Sequence, residues 1–446
     1  MRRALFEMGE DEEPAIDEAA RARGQDVSSH RYDDHHGHDH HDDDDIASLE
    51  WGDARLRLID LSANLLFAVG TSTARDGELQ AIQGGGHDPR KRGFTLQNLE
   101  MSIRGAVDPY FHAELHVVFL VDPIDGESIL EIEQAFLVSD SLPFGLDDYG
   151  VELEAGIFLS EFGRLNPRHP HAWDWLDLPV AHARFFGPDG MRGPGARVGW
   201  LVPLPWYLEI HASVQNASGE TMASFFANDE LFEERPIGGR PFVEQDVRNF
   251  GDLVYLGRVV TGADLSDTLW AQIGASVVAG PNATGPDGRT YLYGGDLVVR
   301  WRPASASHGW PFVTWQTEAL FRHYRADDAV IESEPDDLFL SGADLEDWGV
   351  YTQILYGFAR PWAAGLRLEA AGGSGASVGE FAGRSADPFR DDRYRVSPLI
   401  VWQPTEFSRV RLQYNYDLVD HLEDRDVHSI WLGFEVLLGR HPPHDH

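Results

Sequence analysis

The 446-residue sequence contains no cysteine, carries a formal net charge of −38 and has a mean hydropathy of −0.32. Without cysteine there are no disulfides or thiolate chemistry, and such an acidic chain is expected to repel nucleic acid and to favour cations. No apolar run reaches the length of about 18 residues that a transmembrane helix needs, so transmembrane helices are excluded. A membrane β-barrel is not excluded, because its lipid-facing residues alternate with polar ones.

Residues 1–50 have few apolar groups and many charges, and we expect them to form a disordered acidic tail. Imidazole and carboxylate groups suit Zn²⁺, Ni²⁺ or Cu²⁺, and their loose spacing here predicts several weak, pH-dependent sites. A solvated spacer or an expression tag is the alternative interpretation. The candidate metal ligands in this tail and at the other end of the chain are His30, His35, His36, His38, His40, His41, His441, His444 and His446.

The first residues do not form a signal peptide, because Glu7, Glu10 and Asp11 interrupt the few apolar positions. For an exported protein we therefore expect that the leader is missing or that the start codon is misassigned.

From about residue 54 onward, segments of some ten residues alternate apolar and polar positions, which is the period of a β-strand. In residues 410–417, for example, Leu412 and Tyr414 share one face while Arg411 and Gln413 share the other. Sixteen such strands are predicted, over residues 54–70, 94–107, 110–121, 128–138, 150–159, 194–202, 206–215, 251–261, 267–279, 290–302, 310–324, 348–359, 362–373, 393–403, 408–418 and 427–439.

The connections between these strands alternate in length. Tight turns, mostly marked by proline, occur at one end, and long polar loops such as 71–93, 160–193 and 216–250 occur at the other. This layout predicts an all-β fold, a transmembrane antiparallel β-barrel over residues 51–440 in the bacterial outer membrane. A soluble all-β protein is disfavoured because one face of many strands is strongly polar. Tryptophans beside the tight turns predict an interfacial aromatic girdle, made of Trp200, Trp206, Trp301, Trp310, Trp362 and Trp402.

The segment GRLNPRHPHAWDWLDLPVAHARFFGPDGMRGPG, from Gly163 to Gly195, supplies a more specific signal. With the strand pattern and the His-rich tail, it resembles the bacterial zinc-regulated outer-membrane proteins and, more distantly, the phosphate-selective porin superfamily. The resemblance implies a porin-like channel with a role in zinc or divalent-metal uptake, and assembly as a homotrimer. It also implies that loop 160–193 folds into the lumen and constricts it.

Within that loop, His169 and His171 near Asp174 and Asp177 predict a transient cation site, whereas arginines there would select anions. A third interpretation is that the arginines and aspartates pair and only hold the loop fold. The candidate constriction residues are Arg164, Arg168, His169, His171, Asp174, Asp177, His182, Arg184 and Arg192.

No catalytic motif occurs, so we expect no enzymatic activity. His112, His116 and Ser102 lie on polar strand faces and are interpreted as lumen-lining residues. Three functions remain open: a channel for small ions that prefers metal cations, a phosphate or anion-selective porin, and a plugged barrel that binds metal without conducting.

The predicted partners are outer-membrane lipid and small ions including Zn²⁺. The barrel is expected to require no cofactor, and zinc is expected to bind at the tails. An even strand number would bring both His-containing tails, including 441–446, to the periplasmic rim.

Overall fold

The computed structural model describes residues 48–51, 54–57, 59–122, 126–331, 338–378 and 387–439. Within these ranges, sixteen strands form one closed antiparallel barrel, as the alternation of apolar and polar residues predicts. The barrel strands are β3 (Asp60–Ser72), β4 (Gly93–Ala106), β5 (Phe111–Val121), β6 (Ser128–Ser139), β7 (Val151–Leu159), β8 (Arg192–Leu201), β9 (Tyr207–Asn216), β10 (Leu253–Ser266), β11 (Leu269–Pro281), β12 (Arg289–Trp301), β13 (Phe312–Ala326), β16 (Ala343–Ala359), β17 (Trp362–Ser374), β18 (Arg393–Thr405), β19 (Ser408–Val419) and β20 (Asp426–Gly439).

Two small hairpins and several short helices lie outside the barrel wall. The hairpins pair β1 (Ser48–Trp51) with β2 (Ala54–Arg57), and β14 (Ala329–Ile331) with β15 (Leu338–Leu340). The first barrel strand therefore begins at Asp60 rather than at residue 54. The helices are α1 (Asp76–Ile82), α2 (Val180–Phe186) and α3 (Asp229–Glu234), with 3₁₀ turns at Pro143–Gly145, Asp147–Tyr149, Pro170–Ala172, Ile237–Gly239 and Phe250–Asp252.

No helix in the described ranges is long and apolar enough to cross a membrane. The predicted disordered tail lies outside the described residues except for residues 48–50. The tail histidines proposed as metal ligands lie outside them as well, at both ends of the chain.

The strand faces are those that the alternation predicts. Arg411 and Gln413 are fully buried on the inner face of β19, whereas Leu412 is 44% exposed on its outer face. The barrel closes where β20 pairs with β3, from Ser429 opposite Ser72 to Gly439 opposite Ser62. Such closure gives every wall strand a neighbour on both sides, which is the condition for placing backbone polar groups in hydrocarbon.

The aromatic girdle is only partly as predicted. Trp200, Trp206, Trp362 and Trp402 are each 40–52% exposed beside the tight turns. Trp310 instead packs with Phe312 against a buried group that includes Trp175, so the prediction for Trp310 is wrong. Trp310 lies in the turn before β13, where it is bridged to Ser307, so the alternation of the strand does not determine which side of the wall it faces.

Two β-bulges alter the inner face. In β6 the pairing shifts by one residue opposite His116 and Val117, so that Glu133 and Gln134 are both buried although they are consecutive. In β4 a similar shift buries both Gln97 and Asn98. A bulge adds one residue to a strand and redirects a side chain, and bulges often lie next to functional sites.

Residues 160–191, between β7 and β8, lie against the inner wall, and we refer to them as the inner loop. The indole nitrogen of Trp175 donates to the backbone oxygen of Ser397 at 2.9 Å, and the amide of Val180 donates to Glu369 at 2.6 Å. The loop therefore reaches β17 and β18, across the barrel from the strands that it connects.

Wall glycines provide the space for this loop. A Cβ placed on Gly294 would lie 2.5 Å from the ring of Phe162, and one on Gly349 would lie 2.6 Å from the Ala181 side chain. A Cβ on Gly433 would overlap the side chain of Leu176. The close packing of loop on wall thus requires residues without side chains at these positions.

Gly294→Ala should loosen the inner loop, because overpacking of this kind costs about 1–3 kcal/mol. The amides of Gly163 and Arg164 donate to wall side chains at 3.1 and 3.0 Å, so their hydrogen exchange should become faster. The matched control is Gly295→Ala, where an added Cβ would meet nothing within 4 Å. Equal exchange rates in the two variants would show that Phe162 does not require the space above Gly294.

Candidate functional site

Asp177 of the inner loop is fixed to the wall by side chains from three strands. Its carboxylate accepts hydrogen bonds from Gln413 at 2.8 Å and from Asn415 at 2.7 Å. It also forms ion pairs with Arg395, at 3.2 Å, and with Arg367. Ion pairs between buried partners are stable only when the remaining hydrogen bonds are also satisfied, as they are around this carboxylate.

The loop before β4 joins the same network. Gln83 donates to Asp177 at 3.2 Å, and the amide of Leu178 donates to Asp88 at 2.8 Å. Burial would raise the pKa of Asp177, but Arg367 and Arg395 lower it to about 2. Burial and the neighbouring Asp177 carboxylate raise the pKa of Asp88 to about 7. The two aspartates therefore differ in charge near neutral pH, and Asp88 titrates in that range.

A second set of polar groups lies where the inner loop meets β4, β5 and β6, and we name it the imidazole–carboxylate cluster. Its members are Glu100, His116, Glu133, His169 and His171. The first carboxylate oxygen of Glu100 is 3.2 Å from Nδ1 of His116 and 3.3 Å from Nδ1 of His169. Its second oxygen is 3.0 Å from Nδ1 of His171, and Glu133 lies 2.8 Å from His169.

All five cluster side chains are buried. Burial alone would lower the pKa of His169, but the carboxylates of Glu100 and Glu133 raise it well above its ordinary value. Nδ1 of His169 therefore lies between two carboxylates that favour the charged form of the imidazole.

The inner loop places the predicted site residues in separate environments. His169 and His171 lie together, but the two aspartates lie elsewhere. Asp177 pairs with wall arginines such as Arg395, and Asp174 lies 3.4 Å from the Gln353 amide. The predicted site of two histidines and two aspartates is therefore wrong. His169-x-His171 turns toward β4–β6, whereas residues 174–177 turn toward β16–β19.

The remaining candidates also make separate contacts. His182 binds Glu318 at 2.9 Å, and Arg184 pairs with Asp391 at 3.4 Å. Arg192 begins β8 and pairs with Glu131 and Glu133. Arg164 is buried and Arg168 is half-buried, and burial lowers the pKa of each guanidinium.

Five arginines of the barrel wall form ion pairs with carboxylates. The contacts are Arg104 with Glu114 at 3.2 Å, Arg197 with Glu161 at 2.9 Å, Arg258 with Asp296 at 2.6 Å, Arg367 with Glu369 at 2.7 Å, and Arg411 with Glu435 at 3.0 Å. The guanidinium of Arg300 lies over the Trp270 ring, 5.4 Å from the centroid.

Sequence reasoning missed the carboxylate half of the cluster. His116 was assigned to the lumen, but nothing in the period of β4 distinguishes Glu100 from other inward polar residues. The available signal was the adjacent pair Glu133-Gln134, which breaks the alternation where the bulge occurs.

A cavity adjoins the cluster on the side of Glu133. Polar side chains lining it include His87, Arg168, His182 and Asp189, and the inner loop supplies most of the remaining lining. The cavity therefore brings open space to one edge of the otherwise buried cluster.

Comparison with known proteins agrees with the barrel. No family model matches the chain. An uncharacterized protein of Aquifex aeolicus (strain VF5) is 28% identical over 415 residues, covering 87% of this chain and 80% of the relative.

Among solved structures, the outer-membrane channel DcaP of Acinetobacter baumannii has a TM-score of 0.53 at 12% identity, covering 85% of this chain and 97% of DcaP. An anion-selective porin from Comamonas acidovorans reaches a TM-score of only 0.42 at 9% identity, covering 85% of this chain and 98% of the porin, and supports no further conclusion. The chain thus has the closed, sixteen-stranded, porin-like fold of an outer-membrane barrel.

Proposed function

We propose that this protein is an outer-membrane channel in which the inner loop narrows the path for small ions and favours cations, including zinc-class divalent metals. Two features support a membrane channel: an apolar outer face around a polar inner one, and the fold shared with DcaP, which is itself an outer-membrane channel. Lipid would contact the outer face.

The single observation that carries the choice of cations over anions is the pairing of the wall arginines with carboxylates, because it removes the positive field that an anion-selective pore needs. A ring of charge selects ions only where that charge is uncompensated, and the bidentate contact of Arg258 with Asp296 at 2.6 and 3.1 Å leaves little net positive field. The imidazole–carboxylate cluster adds groups that bind cations. Anion selectivity remains the competing proposal.

Uptake of zinc is the finer part of the proposal. The His-rich tails would collect Zn²⁺ through several weak sites, because linked weak sites raise the local concentration of the ion. A homotrimer and a role of the tails at the periplasmic rim belong to the same proposal. A barrel sealed by its own loops would bind metal without carrying current, and conductance separates it from a channel.

The protein, expressed with a functional export leader, should be recovered in the outer membrane and migrate faster on gels before boiling than after it. A closed barrel resists unfolding by detergent because its strands have no free edge. Gel mobility of outer-membrane fractions, heated and unheated, measures this. Recovery of the folded protein only from the soluble fraction would contradict the membrane assignment.

Planar bilayers under a KCl gradient should give a reversal potential on the side of the potassium equilibrium potential. Asp296→Asn should move it toward the chloride value, because the buried guanidinium of Arg258 loses its counter-charge. Asp267→Asn removes the same charge from an exposed turn and should leave the potential unchanged.

Heat-modifiable migration must first show that both variants fold. A chloride-selective wild-type channel would favour the anion-porin proposal, and a folded barrel without current would favour the sealed barrel.

A further inference from the structure

We propose that Glu100, His116 and His169 form a binding site for one zinc-class divalent cation, with Glu133 and His171 as additional donors. The inference rests on the proposed cation channel for its physiological meaning, since it identifies where along the inner loop a metal ion would stop. This binding site is distinct from the proposed metal-binding tails, whose histidines lie outside the described residues.

The donor geometry supports the assignment. One ligand atom from each of the three residues lies within 4.8 Å of the other two. A tetrahedral zinc ion with bonds of about 2.0–2.1 Å requires ligand atoms about 3.3 Å apart. The contacts of Glu100 with His116 and His169, at 3.2 and 3.3 Å, already have that spacing.

The chemistry of the donors is that of zinc sites rather than of calcium or magnesium sites. Calcium and magnesium prefer all-oxygen ligands, whereas imidazole nitrogen with a carboxylate suits Zn²⁺, Ni²⁺ or Cu²⁺. The bulge at Glu133 adds a second carboxylate 2.8 Å from His169. His171 adds a third imidazole, 3.0 Å from Glu100.

A neighbouring carboxylate would orient one of the ligands. Nε2 of His116 faces Glu114 at 3.7 Å, whereas Nε2 of His169 lies 2.6 Å from the amide nitrogen of Gln134, which is a donor and supplies no acceptor. In metal sites, a partner on the far ring nitrogen of a ligating histidine fixes the orientation of its ring. The Nδ1 atoms of His116 and His169 both face Glu100, and Nδ1 of His116 also lies 2.9 Å from the Ser102 hydroxyl.

A small cavity lies beside the cluster. Its lining includes Glu133 and Pro170, which lies between His169 and His171 in sequence. A cation in this cavity would lie next to Glu133, one of the additional donors of the site.

The competing interpretation is a purely structural ion-pair network, in which the imidazoles carry protons and hold the inner loop to β4–β6. Both interpretations require the same contacts. They differ in whether Zn²⁺ binds at these residues at a stoichiometry of one, which a titration measures directly.

The experiment is calorimetric titration of ZnCl₂ into the purified full-length protein in detergent, compared with Glu100→Gln and His169→Gln. The wild type should show one tight site above the weak binding of the tails, and each variant should weaken that site by more than about 100-fold, beyond the loss typical of an outer-shell change. MgCl₂ should not compete. His211→Gln is the matched control, since His211 pairs with Glu209 at 3.4 Å on another part of the inner wall.

Heat-modifiable migration identifies variants that still fold. If Glu100→Gln prevents folding of the wall, His169→Gln still tests the site, because His169 belongs to the loop. Equal tight binding in wild type, His169→Gln and the control, or no tight site in the wild type, would overturn the metal site. Conductance without zinc tests the channel separately. A conducting barrel without the tight site would reject this inference alone, and a tight site in a barrel without current would reject only the channel.

Discussion

The compensation of buried charge inside a closed barrel is the constraint on which the rest of this structure depends. The wall presents arginines, glutamates and aspartates inward, and an uncompensated charge there would cost several kcal/mol. Asp177 shows the solution, because a single loop carboxylate pairs with Arg367 and Arg395 from neighbouring strands. The inner loop is thus a complement to the wall, held by specific charges and hydrogen bonds.

Steric fit acts together with this electrostatic fit. Gly294 and Gly433 leave space for Phe162 and Leu176, so the loop backbone approaches the strands closely enough for its polar groups to bond to the wall. The bulge at Glu133 then directs an extra carboxylate to His169. Barrel, loop and imidazole–carboxylate cluster are consequently one packed unit, and a change in the loop is expected to alter both conduction and metal binding.

The barrel could be predicted from sequence because a strand with lipid on one side and polar groups on the other repeats every two residues. Leu412 and Arg411 illustrate that local rule. The site could not be predicted in the same way, because Glu100 and His169 are 69 positions apart by numbering and meet only through the path of the loop. The prediction that His169 and Asp177 share a site failed because neighbours along a loop can face opposite walls.

Helices of six or seven residues, such as α2 and α3, were missed because they are too short for a clear helical period.

We infer that the inner loop, held at Asp177, sets the width of the ion path. The decisive measurement is the single-channel conductance of a variant in which residues 164–190 are replaced by a short glycine–serine link, recorded beside the wild type in the same bilayers. The shortened protein should show a clearly larger conductance, with heat-modifiable migration retained. An unchanged conductance in the folded variant would contradict this inference, because the loop would then not narrow the path that ions take.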